Sequence, residues 1–509
     1  MAFISIFNDV LGPIMRGPSS SHTAGAYRIG LMMRNLLGGE PTTVRVTFDP
    51  EGSMAPTWKP LGVDLAFTSG IMGWSMLDEG YFTSVDRARE AGAAVTFEIA
   101  PLDETDHPNG MRIEAATEKG QQLRVVAEAV GGGGIRIVGL DGWPVDLDGT
   151  SHVILAEVDP QEEPVAAGFL SDPNRIEDEG SVLLITSSAL EPDADSISGL
   201  RGLTGVSGVW TAAPVFFVPR GPTLFENAEA LVDFAAKREL SLGAAALVYE
   251  SELLGLTERE TEEEMLRRWK VMEQSMAAGL DDEQSDMLLM LPSAADVLTA
   301  ESRGGVAIGG IHTRAAARAL AVMHHCNSRG VICAAPTGGS AGTVPGVVLS
   351  LVEELGLDPH QTALALFAAS AVGLIVARRA TFGAEIAGCQ VEIGVAGAMA
   401  SAAVVEAAGG SPRQAVDAAA ISLQNTMGSP CDPVAGACEV PCHTRNAVAA
   451  SSAFTCADLI LGGYSNPIPL DESIDVSYVV GKALPAELRC TAKGGCAVAP
   501  SALSMKRRR

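Results

Sequence analysis

Beyond about residue 225 the strand-like segments are expected to stop, and much of the chain is long Ala- and Gly-rich helical sequence. Stretches such as ALALFAASAVGLIVA and VAGAMASAAVVEAA alternate with no period of two and carry almost no charge. A long apolar run of this kind is a buried helix rather than a half-exposed strand, and small side chains let such helices approach closely. The pattern Thr257-x-x-Glu260, a capping box, opens the charged amphipathic segment ETEEEMLRRWKVMEQSM. Residues 223–509 are therefore expected to form a compact, mostly helical domain. Its most apolar run, 363–377, falls short of the ~20 residues a membrane span needs. Arg378 and Arg379 close it, so it reads as a core helix.

The first 150 residues have a different texture. Segments 44–50, 93–101 and 111–118 alternate apolar and polar residues, as half-buried strands do. Residues 23–37 have helical apolar spacing and stop at Gly38-Gly39, and the run Gly131 to Gly134 precedes another strand-like piece, IRIVGL. Residues 151–222 read as a small separate module. HVILAEVD and SVLLITSS are strand-like, a short helix is expected within 195–209, and VWTAAPVFFV is expected to close the module as a strand. The order suggests a small α+β sandwich of the regulatory ACT type, with a structured linker as the alternative. The fold class is thus α+β, in three parts: 1–150, 151–222 and 223–509. No repeat with a period of 20 to 50 residues is visible.

The chain of 509 residues carries a net charge of −27. That balance repels phosphate backbones and anionic lipid, so neither nucleic acid nor a membrane is expected as a partner. The basic end, Lys506 to Arg509, is too short to reverse it and reads as solvated. The start, MAFISIFNDVLGPIM, has no basic segment, and Asp9 interrupts its apolar stretch. It does not resemble a signal peptide, and the expected location is cytoplasmic.

All nine cysteines lie at or after Cys326. An odd number in a reducing compartment argues against a disulfide framework and leaves metal ligand, nucleophile or small buried hydrophobe. Cys431, Cys438 and Cys442 fall within CDPVAGACEVPC, and Cys389 lies in GAEIAGCQVEIG. Glycine and proline around them place these cysteines on loops or helix ends, from which ligands can converge. The spacing fits neither a zinc finger nor the ferredoxin runs. Three thiolates on a cubane would leave one iron open, which is what a Lewis-acid catalyst requires.

Two further motifs carry chemistry. In GPSSSHTAGAYRIG, three hydroxyls and His22 lie directly before a helix. Such a segment caps the helix, offers N–H groups to an anion and supplies a proton-transfer group; a capped helix with a surface histidine is the plainer reading. CAAPTGGSAGTVPG, with Thr337 and Ser340, suits a backbone cradle for a carboxylate and lacks the Walker lysine.

Together these motifs resemble the iron–sulfur L-serine dehydratases. GPIMRGPSSSHTAGAYRIG is similar to the start of that family's β domain. APTGGSAGTVPG, GCQVEIG, CDPVAGACEVPC and HTRNA resemble its α domain, and GKALPAELRCTAKGG its C-terminus. The resemblance implies a [4Fe–4S] cluster on Cys389, Cys431 and Cys442, and no pyridoxal phosphate. The substrate hydroxyl and carboxylate would meet the iron left without a protein ligand. A base would take the α-proton, and aminoacrylate would go on to pyruvate and ammonia. Ser19, Ser20, Ser21, His22 and Thr23 would face the cluster, with His22 in proton transfer; Thr337, Ser340 and Arg445 would contact a small-molecule substrate, with pairing to one of the many acidic side chains the alternative for Arg445. Cys438 matches no ligand position and reads as packing, and a homodimer is a possible assembly.

The chain also departs from the family. Where relatives carry His-Gly-Thr-Asp, this sequence has Leu61-Gly62-Val63-Asp64, which loses a base and a hydroxyl. Where they carry a Ser-Gly-Leu-type turn, it reads SDMLLMLPSAADVL over 285–298. Cluster ligands kept beside altered substrate-facing motifs suggest the same chemistry on L-serine or on a more apolar hydroxylated substrate. A non-catalytic iron–sulfur sensor and a metal-free anion-binding module are the rival readings. Cys490 and Cys496 are candidates to enter the site from the tail, as a C-terminal cysteine does in some relatives. Glu385 and Glu392, flanking Cys389, are each a candidate base or a partner of the cluster loop. His443 is a candidate neighbour of the ligands. Adjacent positions on a helix point about 100° apart, so His324 and His325 read as structural rather than as one metal site.

Overall fold

The computed structural model describes residues 4–178, 180–281 and 285–508. In the first part, Pro41–Phe48, Ala94–Ile99, Gly110–Thr117, Gln122–Gly131, Gly134–Leu140 and Trp143–Leu147 form a six-stranded sheet. Ala94–Ile99 is an edge strand parallel to Pro41–Phe48; the remaining neighbours pair antiparallel as a meander. Gly25–Leu37 packs on this sheet and against Val63–Ile71. The two helices cross at Gly30 and Gly70, where an added Cβ would lie 2.5 Å from Phe67 O and 2.1 Å from Tyr27 O respectively. Only glycine permits that approach.

Residues 152–212 follow the order βαββαβ. Their four strands lie side by side as Val206–Ala212, His152–Val158, Ser181–Ser188 and Asn174–Asp178, all antiparallel. This is a split βαβ topology. Alternation separates the two faces. Ile154, Ala156, Val182 and Leu184 meet the module's own helices through Leu200, whereas Val153, Leu155, Leu183 and Ile185 join the core of the larger sheet. A strand buried on both sides reads as a continuous apolar run, which is how HVIL and VLLI look. The last strand ends earlier than the sequence suggests, because Pro214 has no N–H for the ladder.

The rest is helical, around a core of small residues from Ala245 to Ala457. The capping box at Thr257 and Glu260 is present and begins Glu258–Leu280. One expectation needs correction: strands do not stop at 225. Val331–Cys333 pairs antiparallel with Ile14–Arg16, Met15 opposite Ile332. Three residues are too few to show a period, and the partner lies at the other end of the chain. The N-terminal segment belongs physically to the helical half. Ile6, Phe7, Val10 and Leu11 sit in its core. The buried Glu250 carboxylate accepts from Ser5 Oγ at 2.5 Å, Ile6 N at 2.8 Å and Phe7 N at 3.0 Å.

The apolar run at 363–377 is also part of something longer. A second capping box, Asp358 with Gln361, starts the helix early, and Pro359–Arg379 spans 21 residues at a mean hydropathy of 1.6. It and Cys389–Ala407 have the length and composition of a membrane span, yet 78% and 89% of their apolar windows are buried against protein. They are the central helices of the core. The basic end also differs from the solvated tail expected. Arg508 N donates to Leu288 O at 2.7 Å, its guanidinium to Met290 O, and Arg507 Nη2 to Ala435 O at 3.0 Å; Arg509 lies outside the described residues.

Candidate metal centre

The three family-implied ligands come from three breaks in helical structure. Ala384–Ala387 ends at Gly388, whose φ of +74° suits glycine and whose Cβ would lie 2.7 Å from Ser429 O. Cys389 follows at once, in a single turn leading into Ile393–Ala407. Cys431 sits in an isolated bridge to the tail: its N donates to Leu488 O, and Cys490 N to its own carbonyl, both at 2.8 Å. Cys442 is the first residue of Cys442–Leu461.

These three side chains share one buried patch with Ala384, Ile393 and Ala449, and Cys438 and Cys490 pack against it. The thiols of Cys389 and Cys431 and a carboxylate oxygen of Glu392 all lie within 4.8 Å of one another. Cys438 packs here as expected, with its thiol beside that of Cys442, as the Cys490 thiol is beside that of Cys431. All nine cysteines are free. Hydrogen bonds to Cys389 and Cys490, with burial, hold the Cys431 thiol well above its ordinary range; the bond to Cys442, with burial, does the same for Cys438. For Cys389 the bond to Cys431 pulls downward, and burial with the Glu392 charge outweighs it. Buried thiols pooled in this way ionise together only around a cation, and that donor set fits a thiolate-ligated metal centre.

Of the two readings of Arg445, the structure shows the pairing with an acid. Its Nη1 donates to Pro430 O and Asp432 Oδ1, each at 2.8 Å, and approaches Cys389 Sγ at 3.8 Å. Asp432 is buried, and its other oxygen accepts from Cys496 N at 2.7 Å. Burial opposes the guanidinium charge, but Cys389 and Asp432 more than restore it, so its pKa is raised. Arg445 thus ties the Cys389 turn to the Cys431 loop and, through Asp432, to the tail.

The serine-rich segment reaches the same place. Ser20–Ala24 forms a single wide turn before Gly25–Leu37. His22 is buried; its Nδ1 lies 3.1 Å from Ser19 Oγ and 3.2 Å from Ser21 Oγ, and its Nε2 3.5 Å from Ser53 Oγ. Ser53 Oγ in turn donates to Cys490 O at 3.4 Å, so one serine spans from the imidazole to the cysteine-bearing tail. Burial pushes the His22 pKa down to about 4, which keeps the ring neutral at physiological pH. Thr23 faces elsewhere: its Oγ1 donates to Leu61 O at 3.0 Å and positions the 61–64 turn.

The turn at 336–342 packs directly on this segment, with Gly338 against Pro18 O and the backbone N of Ser20. Its hydroxyls are engaged within the protein. Thr337 Oγ1 donates to Glu392 Oε1 at 2.5 Å, and Ser340 Oγ lies 3.0 Å from Thr337 Oγ1 and donates to Ala335 O at 3.1 Å. An amide cradle that is already filled lies at 288–290. There Leu288 N, Leu289 N and Met290 N donate to the buried Glu439 carboxylate at 2.5, 2.9 and 2.8 Å. Nothing in a side-chain pattern signals it, since the donors are backbone.

Two acids flank the thiols. Glu392 bridges Thr337 to Cys389 Sγ, 3.9 Å away, and burial raises its pKa. Glu385 accepts from Asn109 Nδ2 at 2.9 Å, and burial pushes it up to about 7. Asn109, in the HPNG turn before Gly110–Thr117, was not singled out from the sequence; neither were Ser53, Asp432 and Asn446. Asn446 Nδ2 donates to Gly339 O and Cys442 O, holding the glycine turn to the Cys442 helix. His443 Nε2 lies 3.0 Å from Asn327 Nδ2, its ring is 5.2 Å from that of His324, and burial lowers its pKa to about 3.

Residues 223–497 match the family model described as serine dehydratase alpha chain. The chain is 37% identical over 286 residues to a probable L-serine dehydratase alpha chain of Bacillus subtilis, covering 56% of this chain and 95% of the relative. It is 31% identical over 285 residues to the L-serine dehydratase alpha chain of Peptoniphilus asaccharolyticus, covering 56% and 98%. Against L-serine dehydratase 2 of Escherichia coli it is 28% identical over 517 residues, covering 97% and 98%. With the matched region holding every cysteine of the patch, the chain belongs to the serine dehydratase family and is a lyase.

Proposed function

We propose that this protein converts L-serine to pyruvate and ammonia on a [4Fe–4S] cluster held by Cys389, Cys431 and Cys442. The observation that carries the reading is the meeting of these three cysteines in one buried patch, matched in charge by Arg445 and linked to His22 through Ser53. When bound, a cluster with an open iron supplies Lewis acidity that turns the substrate hydroxyl into a better leaving group. The protein's own groups do the rest. Ser19, Ser20 and Ser21 line the substrate side. His22, held neutral by burial and oriented by Ser19, is the group that exchanges the α-proton at Nε2. Glu385, near 7, is matched to accept a proton at physiological pH and stands second to it. Thr23, Thr337, Ser340 and Arg445 act as positioning residues, because their polar atoms already bind protein.

The division at about 150 and 222 forms part of the proposal, with the helical part also holding residues 4–13. The βαββαβ order of 152–212 supports an ACT-like regulatory module, and a cytoplasmic enzyme suits the buried apolar helices. The test is electron paramagnetic resonance of the reduced, anaerobically reconstituted protein. Added L-serine should shift the cluster signal, because substrate meets iron directly. An unchanged signal at saturating L-serine would remove the direct-binding mechanism.

A further inference from the structure

The two stretches that depart from the family's motifs, 61–64 and 285–298, meet at one small cavity of about 90 Å³. Pro18, Leu61, Leu288 and Cys438 line it together with the polar Asn327 and Glu439, and so do Asp286 and Arg329. Pro18 immediately precedes Ser19, and the Cys438 thiol is bonded to that of Cys442. The cavity therefore abuts the proposed centre. Asp286 and Arg329 also line a larger cleft of about 490 Å³ outside it. They stand where the cleft opens inward.

Neither of these two opposite charges has a direct ion pair, although Asp64 lies within electrostatic reach of Arg329. In a chain with 62 acids and 35 lysines and arginines, Arg329 forms no ion pair and its guanidinium no hydrogen bond among the described residues. Neither does the Asp286 carboxylate, although its backbone N is fixed by Ser328 Oγ at 3.1 Å. Arg329 is held in place by its backbone: N donates to Cys326 O at 3.1 Å, O accepts from Arg16 Nη1 at 3.3 Å, and φ is +58°. That left-handed conformation is uncommon and mildly costly for a non-glycine residue. Meanwhile Arg445, which the sequence offers to a substrate carboxylate, has one nitrogen on Asp432, and the amides of 288–290 are taken by Glu439.

An unpaired acid and an unpaired guanidinium at the mouth of a small cavity are complementary to a zwitterion. The space is small and opens on the larger cleft, which suits a small amino acid better than a peptide or a nucleotide. Two other polar side chains line the cavity, and both are engaged within the protein: Glu439 with the amides of 288–290, and Asn327 Nδ2 with Met323 O and Cys438 O. We propose that Arg329 and Asp286 read the α-carboxylate and α-ammonium of a small amino-acid substrate, replacing the polar motifs absent from 61–64 and 285–298. This deepens the L-serine reading and rests on it.

The test is equilibrium binding by calorimetry to the iron-loaded protein, apart from turnover. The ligands are L-serine, serinol, which lacks the carboxylate, and 3-hydroxypropanoate, which lacks the ammonium. Arg329→Met is expected to weaken L-serine by roughly 10- to 100-fold, on the scale of a charge-assisted hydrogen-bonded pair, while serinol changes less than about twofold. Asp286→Asn, at the more exposed position, should weaken L-serine by about 3- to 10-fold and spare 3-hydroxypropanoate. L-serine binding within twofold of wild type in Arg329→Met, equal losses for all three ligands, or no L-serine binding to the wild type would each overturn the assignment. Selective binding without pyruvate would overturn the reaction and keep the pocket; pyruvate with unselective variants would do the reverse.

Discussion

The thiol patch and the cavity beside it are built to different standards. Around the patch almost every polar group has a partner: Arg445 with Asp432, Asp432 with Cys496 N, Glu392 with Thr337, Glu439 with three amides. At the cavity the lining mixes apolar and polar groups, and Asp286 and Arg329 stand without a direct ion pair among the described residues. Fully satisfied buried networks make a rigid frame, whereas unpaired charge at a cavity mouth costs stability unless a ligand uses it. The difference separates what holds the reaction centre from what chooses the molecule entering it.

The sharpest way to break that separation is at the patch. Cys431→Ser or Cys442→Ser should abolish iron loading, read by iron and sulfide content, and turnover with it. Cys438→Ser should keep most of the iron despite its bond to Cys442; equal loss would make Cys438 a ligand. His22→Ala comes next. Turnover should fall by at least ~100-fold, the usual scale for losing a proton-transfer group, with iron content intact. Full activity would pass the role to Glu385.

Glu439→Gln tests the frame without touching a thiol. It removes the charge that three amides share and should cost about 2–4 kcal/mol in denaturant unfolding. A neutral result would mean the loop over 431–442 is held from elsewhere.

Glu250 gives a smaller, pH-dependent effect far from the centre. Burial raises its pKa from 4.5 to about 7, so the folded chain binds the proton more tightly than the unfolded one. Its contribution is greatest below about pH 4.5 and is lost as pH rises through 7, by roughly 3 kcal/mol over that window. Glu250→Gln should remove that slope, so melting curves of the two proteins should diverge between pH 5 and 7. Parallel curves would show that the carboxylate titrates normally. Asp9, pushed up to about 6 by burial, acts in the same direction, and His22, pushed down, in the opposite one.

Much of this was legible in the sequence where a side-chain period or a cap carried it. The alternating strands near 44, 94 and 111, the helix ending at Gly38, and the Thr257 cap all lie where the pattern puts them. Asn174–Asp178 escaped because an exposed edge strand reading NRIED has no apolar face to show. Val331–Cys333 escaped because its partner is 300 residues away. At the site, the cysteines could be singled out by type and setting. The engagement of Arg445, Thr337 and Ser340 could not, since it depends on which neighbours the fold brings up. The Glu439 cradle is backbone alone, and Arg329 stood in the sequence as one arginine among many; only the cavity sets it apart.

The central claim is iron–sulfur chemistry on L-serine, and the most direct measurement is pyruvate release by anaerobically reconstituted protein, with iron and sulfide counted on the same sample. The account predicts pyruvate that rises with cluster content and saturates near four irons per chain, about one [4Fe–4S]. Pyruvate from iron-free protein, or a full cluster that releases none, would contradict it.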